Sequence, residues 1–137
     1  MKKFIALVIV LLLAAAPAMA DFMVVHMTSV CYDPNHVGTK WQAQYSVGGN
    51  QIFDGDIVEF FPGQYEFYTV IGEYDTTPDI GETVSTFNVT ANRLTKGFTV
   101  EQVVTVTENH GVYKDYWTEW YVTYQFIPVP GAVYVLN

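Results

Sequence analysis

Cysteine is almost absent from this chain of 137 residues, which contains only Cys31. A single thiol cannot form an intramolecular disulfide, so the fold must rest on its core. An unpaired thiol is either a buried apolar residue or one half of an intermolecular bridge. We favour burial, because free cysteine is among the most buried residue types. A homodimer linked through Cys31 is the alternative.

Basic residues are also scarce, with six Lys and Arg against 14 Asp and Glu and a net charge of −8. This charge repels the phosphates of nucleic acids and anionic membrane surfaces, so we expect neither as a partner. Cations and basic partners remain open. A second interpretation is that the acidity only keeps the protein soluble.

The first 20 residues, MKKFIALVIVLLLAAAPAMA, have the three parts of a secretory signal peptide. Lys2 and Lys3 precede an uncharged run, and Ala18-Met19-Ala20 is a small-x-small cleavage signature. The run is shorter than the ~20 residues of a membrane-spanning helix, and no later segment is long and apolar enough. We therefore predict cleavage after Ala20, a secreted or periplasmic protein, and no transmembrane segment in the mature chain.

Helical periodicity is missing after the signal peptide, and period-two alternation replaces it. In WQAQYSV and TEWYVTYQF the apolar and polar residues alternate, and TVEQVVTVT does so with Gln102 as the exception. Turn residues separate the runs. The pattern predicts one domain over residues 21–137, an all-β single antiparallel β-sandwich of about eight strands. The predicted strands are 22–31, 41–48, 51–53, 56–61, 65–74, 83–90, 98–108 and 116–127, with a short one at 132–136.

The stretch GEYDTTPDIGE, residues 72–82, places acidic residues between two strand-like runs. It resembles the calcium-loop region of C2-type β-sandwich domains, in which a strand ends in alternating acids and a turn with Asp, an aliphatic residue and Gly follows. The resemblance implies a C2-like fold that binds Ca²⁺, with the predicted metal ligands Asp33, Glu73, Asp75 and Asp79. An immunoglobulin-like sandwich is the alternative fold. An ordinary polar turn is the alternative interpretation of the loop.

Motifs of catalysis are not visible in the sequence. The three histidines lack metal-ligand spacing, and there is no nucleophile elbow or Gly-rich phosphate loop. We therefore expect a protein that is not an enzyme. A hydrolase of unknown substrate is only the third hypothesis for its function.

Aromatic residues are densest in VYKDYWTEWYVTY. Alternation sends Trp120 and Val122 to one face of a strand and Trp117 and Tyr121 to the other, with Tyr113 nearby. Exposed aromatic residues bind sugars, peptides or proteins, whereas aromatic pairs across strands only stabilise a sheet. Tyr113, Trp117 and Tyr121 are the candidate ligand contacts.

The leading hypothesis is an exported, non-catalytic binding or cell-envelope module for a protein or carbohydrate ligand, with Ca²⁺ as a candidate cofactor. The alternative is a structural protein that assembles through strand edges or through a Cys31 disulfide.

Overall fold

The computed structural model describes residues 20–32 and 36–129. These residues form eight strands and one short helix, which confirms the all-β prediction. In chain order the elements are β1 (Asp21–Cys31), β2 (Trp41–Val47), β3 (Asn50–Ile52), β4 (Ile57–Phe60), β5 (Gly63–Glu73), β6 (Asp79–Val89), α1 (Ala91–Lys96), β7 (Phe98–Thr107) and β8 (Trp117–Pro128). The predicted strand at 132–136 and the predicted signal peptide up to residue 19 lie outside the described residues.

The strands form two four-stranded antiparallel sheets, with the orders β4-β1-β8-β7 and β3-β2-β5-β6. We call them sheet A and sheet B. Successive side chains of a strand point to opposite faces of the sheet. In β7, for example, every second residue is buried between the sheets and the residues between them are exposed. Each sheet turns its apolar face inward, which confirms the predicted β-sandwich. No helix in the described part of the chain is long and apolar enough to cross a membrane.

Aromatic rings fill the centre of the sandwich. Phe60 packs edge-on against Phe126, with ring centroids 5.1 Å apart, and Phe126 stacks on Phe98 at 4.7 Å. Phe67 packs edge-on against Phe126 and Tyr124. These separations are those that aromatic pairs prefer, so the rings add directional contacts to the burial of apolar surface.

Strands β6 and β7 bring the two sheets together along one side. A Cβ atom at Gly81 would lie 2.1 Å from the backbone oxygen of Thr105, so only glycine fits there. Thr83 donates its hydroxyl to the backbone oxygen of Val103 at 2.6 Å. The remaining outer strands, β3 and β4, have only three and four residues. Neither of these two strands offers a long edge for pairing with another chain.

Helix α1 joins β6 to β7 and was not predicted. Thr90 caps its first turn by accepting a hydrogen bond from Arg93 N, and Gly97 ends it with φ 88°. The helix has six residues, of which only Leu94 is buried. One buried position cannot produce a helical period in the sequence.

Gln102, the polar exception in β7, lies inside the sandwich. Its amide nitrogen donates to the backbone oxygen of Phe67 at 3.0 Å and to the hydroxyl of Ser85 at 2.7 Å. Its amide oxygen accepts from the hydroxyl of Thr69, which also contacts the hydroxyl of Tyr124 at 2.5 Å. Burial raises the pKa of Tyr124 to about 12, so its hydroxyl stays protonated. The network links the two sheets through buried hydrogen bonds.

Replacing Gln102 by leucine is expected to lower the free energy of unfolding by about 1–3 kcal/mol, because buried partners lose their hydrogen bonds. Urea denaturation measures the change. Thr105→Val, at an outward position of the same strand, is the control and is expected to stay within about 0.5 kcal/mol of wild type. Equal stability of Gln102→Leu and wild type would contradict a stabilising role for the network.

Candidate functional site

Three connections meet at one end of the sandwich, which we call the loop end. They are the described residues of the β1–β2 connection (32 and 36–40), the β5–β6 turn (74–78) and the β7–β8 loop (108–116). Strand pairing places them together, since the end of β1 lies beside the start of β8, and the start of β2 beside the end of β5. The predicted metal ligands Glu73, Asp75 and Asp79 lie here, as does Tyr113. Asp33 lies outside the described residues.

Glu73 and Asp79 lie opposite each other at the end of the β5–β6 hairpin, on its inward face. Only 2% of Glu73 and 1% of Asp79 is exposed. A buried carboxylate is costly unless hydrogen bonds compensate for lost water.

Strand β6 begins at Asp79, earlier than the predicted residue 83. Asp79-Ile80-Gly81, predicted to close the loop, is part of the strand because the ladder continues to this last pair.

The Glu73 carboxylate holds the β1–β2 connection. Its Oε1 accepts a hydrogen bond from Lys40 N at 3.1 Å. Gly38 approaches so closely that a Cβ atom there would lie 2.4 Å from the carboxyl carbon of Glu73. The other oxygen, Oε2, is buried and has no hydrogen-bond partner among the described residues. The carboxylate is thus enclosed by the connection that it fixes.

The Asp79 carboxylate holds the β7–β8 loop. Its Oδ1 accepts a hydrogen bond from Asn109 N at 2.7 Å, and Oδ2 is buried without a partner among the described residues. Burial raises the pKa of Asp79, the Asn109 N–H lowers it in part, and the nearby Glu108 carboxyl raises it further. Glu108 in turn accepts from His110 N at 3.0 Å. These two inward carboxyls therefore fix the start of the loop.

Asp75 has a different role in the same hairpin. It lies in the exposed turn, where its Oδ1 accepts from Thr77 N at 2.8 Å, an arrangement typical of an Asx turn. Within residues 20–32 and 36–129 no group of three or more His, Cys, Asp or Glu side chains is arranged to hold a metal ion. Glu73 and Asp79 bind backbone groups of different loops. Calcium binding by Asp33, Glu73, Asp75 and Asp79 stays a prediction.

The candidate ligand contacts divide into two groups. Trp117 and Tyr121 lie on the outer face of sheet A, with 59% and 43% of their surfaces exposed, while Val122 is buried on the inner face, as alternation predicts. Tyr113 lies in the β7–β8 loop instead. Its ring stacks on His36 with centroids 5.1 Å apart and an interplanar angle of 21°.

His36, Tyr113 and Tyr116 form a cluster of rings at the loop end, which we call the loop cluster. Tyr116 packs edge-on against His36 at 5.4 Å and contacts Tyr113 at 5.5 Å. His36 and Tyr116 were not predicted as site residues. The density of aromatic residues around Trp117 in the sequence indicates that Tyr116 could belong to a site. Nothing in the sequence around His36 indicates that it stacks on Tyr113, which is distant along the chain.

Tyr121 is the centre of an exposed surface on sheet A. Its neighbours across the ladder are Val30 in β1 and Val103 in β7, and Tyr32 packs edge-on against its ring at 5.9 Å. The Tyr121 hydroxyl donates to Glu119 Oε2 at 3.2 Å, and this hydrogen bond raises the pKa of Tyr121. We define the aromatic face by its apolar and acidic side chains, Val30, Tyr32, Glu101, Val103, Trp117, Glu119 and Tyr121.

A shallow depression lies within the aromatic face. Glu101, Val103, Tyr121 and Thr123 contribute to its lining, and its volume is about 460 Å³. Apolar walls and a carboxylate therefore share one surface that the described elements leave uncovered. Such a surface can hold an amphipathic group from a ligand.

Comparisons of this chain with protein-family models, with curated proteins and with solved structures each gave no match. The function must therefore be argued from the residues of the site itself.

Replacing Asp79 by asparagine tests its buried carboxyl. The folded-state pKa lies above the unfolded value of 3.8, so the neutral form adds stability below that pH, and this stability is lost as the pH rises through the folded value. Asparagine cannot ionise. We expect the stability of Asp79→Asn relative to wild type to be greater at about pH 7 than at about pH 3.

Urea denaturation at both pH values measures this difference. Asp75→Asn removes one negative charge from the exposed turn of the same hairpin and serves as the control. The same pH trend in both variants would contradict a particular role for the buried carboxyl of Asp79.

Proposed function

We propose that this protein is an exported, non-catalytic binding module that contacts its ligand through the aromatic face. The observation that carries the proposal is the exposure of five large apolar side chains, four on sheet A and Tyr32 directly after β1, beside Glu101 and Glu119. Soluble proteins rarely leave such contiguous apolar surface open without a binding role. Export is supported by the three-part pattern of residues 1–20.

The paired strands beneath the aromatic face hold most of its side chains in fixed positions, which favours recognition of a ligand. Six of its seven side chains project from the paired strands β1, β7 and β8, whose inward residues belong to the close-packed core, and Tyr32 directly follows β1. Binding groups on strands are held more accurately than groups on loops. Aromatic side chains also lose little conformational entropy on binding. A protein or a carbohydrate is the class of ligand that such a surface can hold.

Assembly through strand edges has less support. Strands β3 and β4 are the outer strands on the side opposite β6 and β7. They are too short to pair with another chain over a long edge. Assembly through Cys31 also has less support, because the thiol is partly covered and its Sγ lies 3.3 Å from the hydroxyl of Thr118. We therefore place the binding module ahead of the structural protein.

Removal of the two central rings tests the proposal. The protein is passed over immobilised polypeptides and polysaccharides, and the affinity of every captured ligand is measured for wild type and for Trp117→Ala/Tyr121→Ala. We expect at least a tenfold loss of affinity in the double variant, about 1.4 kcal/mol or more, because buried aromatic anchors dominate binding energy.

The control for this experiment is Ile80→Ala/Val84→Ala, which removes exposed apolar side chains from the outer face of sheet B. It is expected to keep wild-type affinity. A ligand whose affinity is unchanged in Trp117→Ala/Tyr121→Ala, or reduced equally in both variants, contradicts binding by the aromatic face.

Calcium dependence is the second part of the proposal, and thermal melts in EDTA and in a Ca²⁺ series test it. Calcium at about 100 times its Kd is expected to stabilise the native state by about 2.7 kcal/mol and to raise the melting midpoint by several degrees. The rise should be lost in Asp75→Asn. An unchanged midpoint up to millimolar Ca²⁺ contradicts calcium binding and leaves the aromatic face unaffected.

A further inference from the structure

We propose that the aromatic face docks an extended segment of a partner polypeptide that carries Lys or Arg side chains. This inference rests on the proposed function, since it concerns the same surface. It adds the chemical class of the partner.

The first observation is the charge of the surface. None of the eight strands contains a Lys or Arg residue. The basic residues after residue 20 lie in connections and in the helix, at Lys40, Arg93, Lys96 and Lys114. Within the described part of the chain no Lys or Arg side chain forms a salt bridge with Glu101 or Glu119. The carboxylates of the face are therefore not neutralised by the protein itself.

The second observation is the order of side chains along the sheet. Glu119, Tyr121 and Thr123 follow one another on the outward side of β8, and Glu101 is the cross-strand neighbour of Thr123. Side chains on one side of a strand repeat every ~6.6 Å, so the two acidic positions are about 13 Å apart along the strands with Tyr121 between them. An extended peptide has the same repeat. Its residues i and i+4 can reach the two carboxylates while residue i+2 lies against Tyr121.

The third observation is how Tyr121 is already engaged. Its hydroxyl donates to Glu119, and its ring forms a T-shaped contact with the ring of Tyr32. A ring beside carboxylates attracts a cation both through its π face and through the negative charges. The apolar stems of Lys and Arg can cover Val30 and Val103 while their charged ends reach Glu101 and Glu119. These features favour a basic polypeptide over a neutral glycan.

The experiment measures binding of a fluorescein-labelled peptide of alternating Arg and Thr to the protein purified after export, by fluorescence anisotropy. The same peptide with citrulline in place of Arg keeps the shape and removes the charge. We expect saturable binding of the Arg peptide that weakens with added salt, and at least tenfold weaker binding of the citrulline peptide.

Two variants of equal charge locate the binding surface. Glu101→Gln/Glu119→Gln is expected to weaken binding at least tenfold. Glu66→Gln/Glu82→Gln removes the same charge from exposed positions of sheet B and is expected to bind like wild type. Tyr68→Ala is the matched control for Tyr121→Ala. Tyr68 donates a hydrogen bond to Glu82 on sheet B, as Tyr121 does to Glu119 on sheet A. Tyr121→Ala should weaken binding, and Tyr68→Ala should not.

Equal loss of affinity in both glutamine variants would overturn the inference, because it would show a response to net charge alone. Absence of binding by the Arg peptide would also overturn it. If a polysaccharide then binds and is lost in Tyr121→Ala, the aromatic face remains the binding surface and only the class of partner is wrong. If no ligand depends on Tyr121, the proposed function fails as well.

Discussion

Hydrogen bonds that two buried carboxylates accept from the backbones of neighbouring loops determine how the loop end is built. Glu73 and Asp79 form the last cross-strand pair of the β5–β6 hairpin, and both turn inward. A carboxylate in this position loses water and must gain other donors. The donors are Lys40 N and Asn109 N, one from each adjacent connection. The hairpin therefore sets the paths of both connections, and the loop cluster of His36 and Tyr113 depends on those paths.

The buried amide of Gln102 has a comparable effect on the aromatic face. A shift of one residue in strand register exchanges the inner and outer faces of a strand. Because Gln102 finds its partners only inside the sandwich, Glu101 and Val103 on either side must point outward. Pairing of β7 with β8 then places Val103 beside Tyr121. A polar residue in the core thus contributes to the composition of a surface that it does not reach.

The sequence predicts the strands well, because alternation and turn residues are local signals. Of the eight predicted strands that lie among the described residues, seven begin within two residues of the observed ones, and β6 is the exception. Asp79 looks like a loop residue because acids are rare at inward strand positions. Its buried carboxyl accepts a hydrogen bond from Asn109 N, and Asn109 is distant in sequence. The stack of His36 on Tyr113 is invisible for the same reason. Side-chain partners across loops are set by the tertiary fold, whereas strand periodicity is set by each segment alone.

Lys and Arg residues are absent from the eight strands. Proteins often protect exposed strand edges with lysine, which prevents pairing with other chains. Here the contacts between β6 and β7 join one side of the sandwich, and β3 and β4 are short on the other. The carboxylates on the sheet faces have no Lys or Arg neighbour within the strands. On sheet A, Glu101 and Glu119 lie beside exposed aromatic rings, so a partner that supplies cations would contact both the carboxylates and the rings.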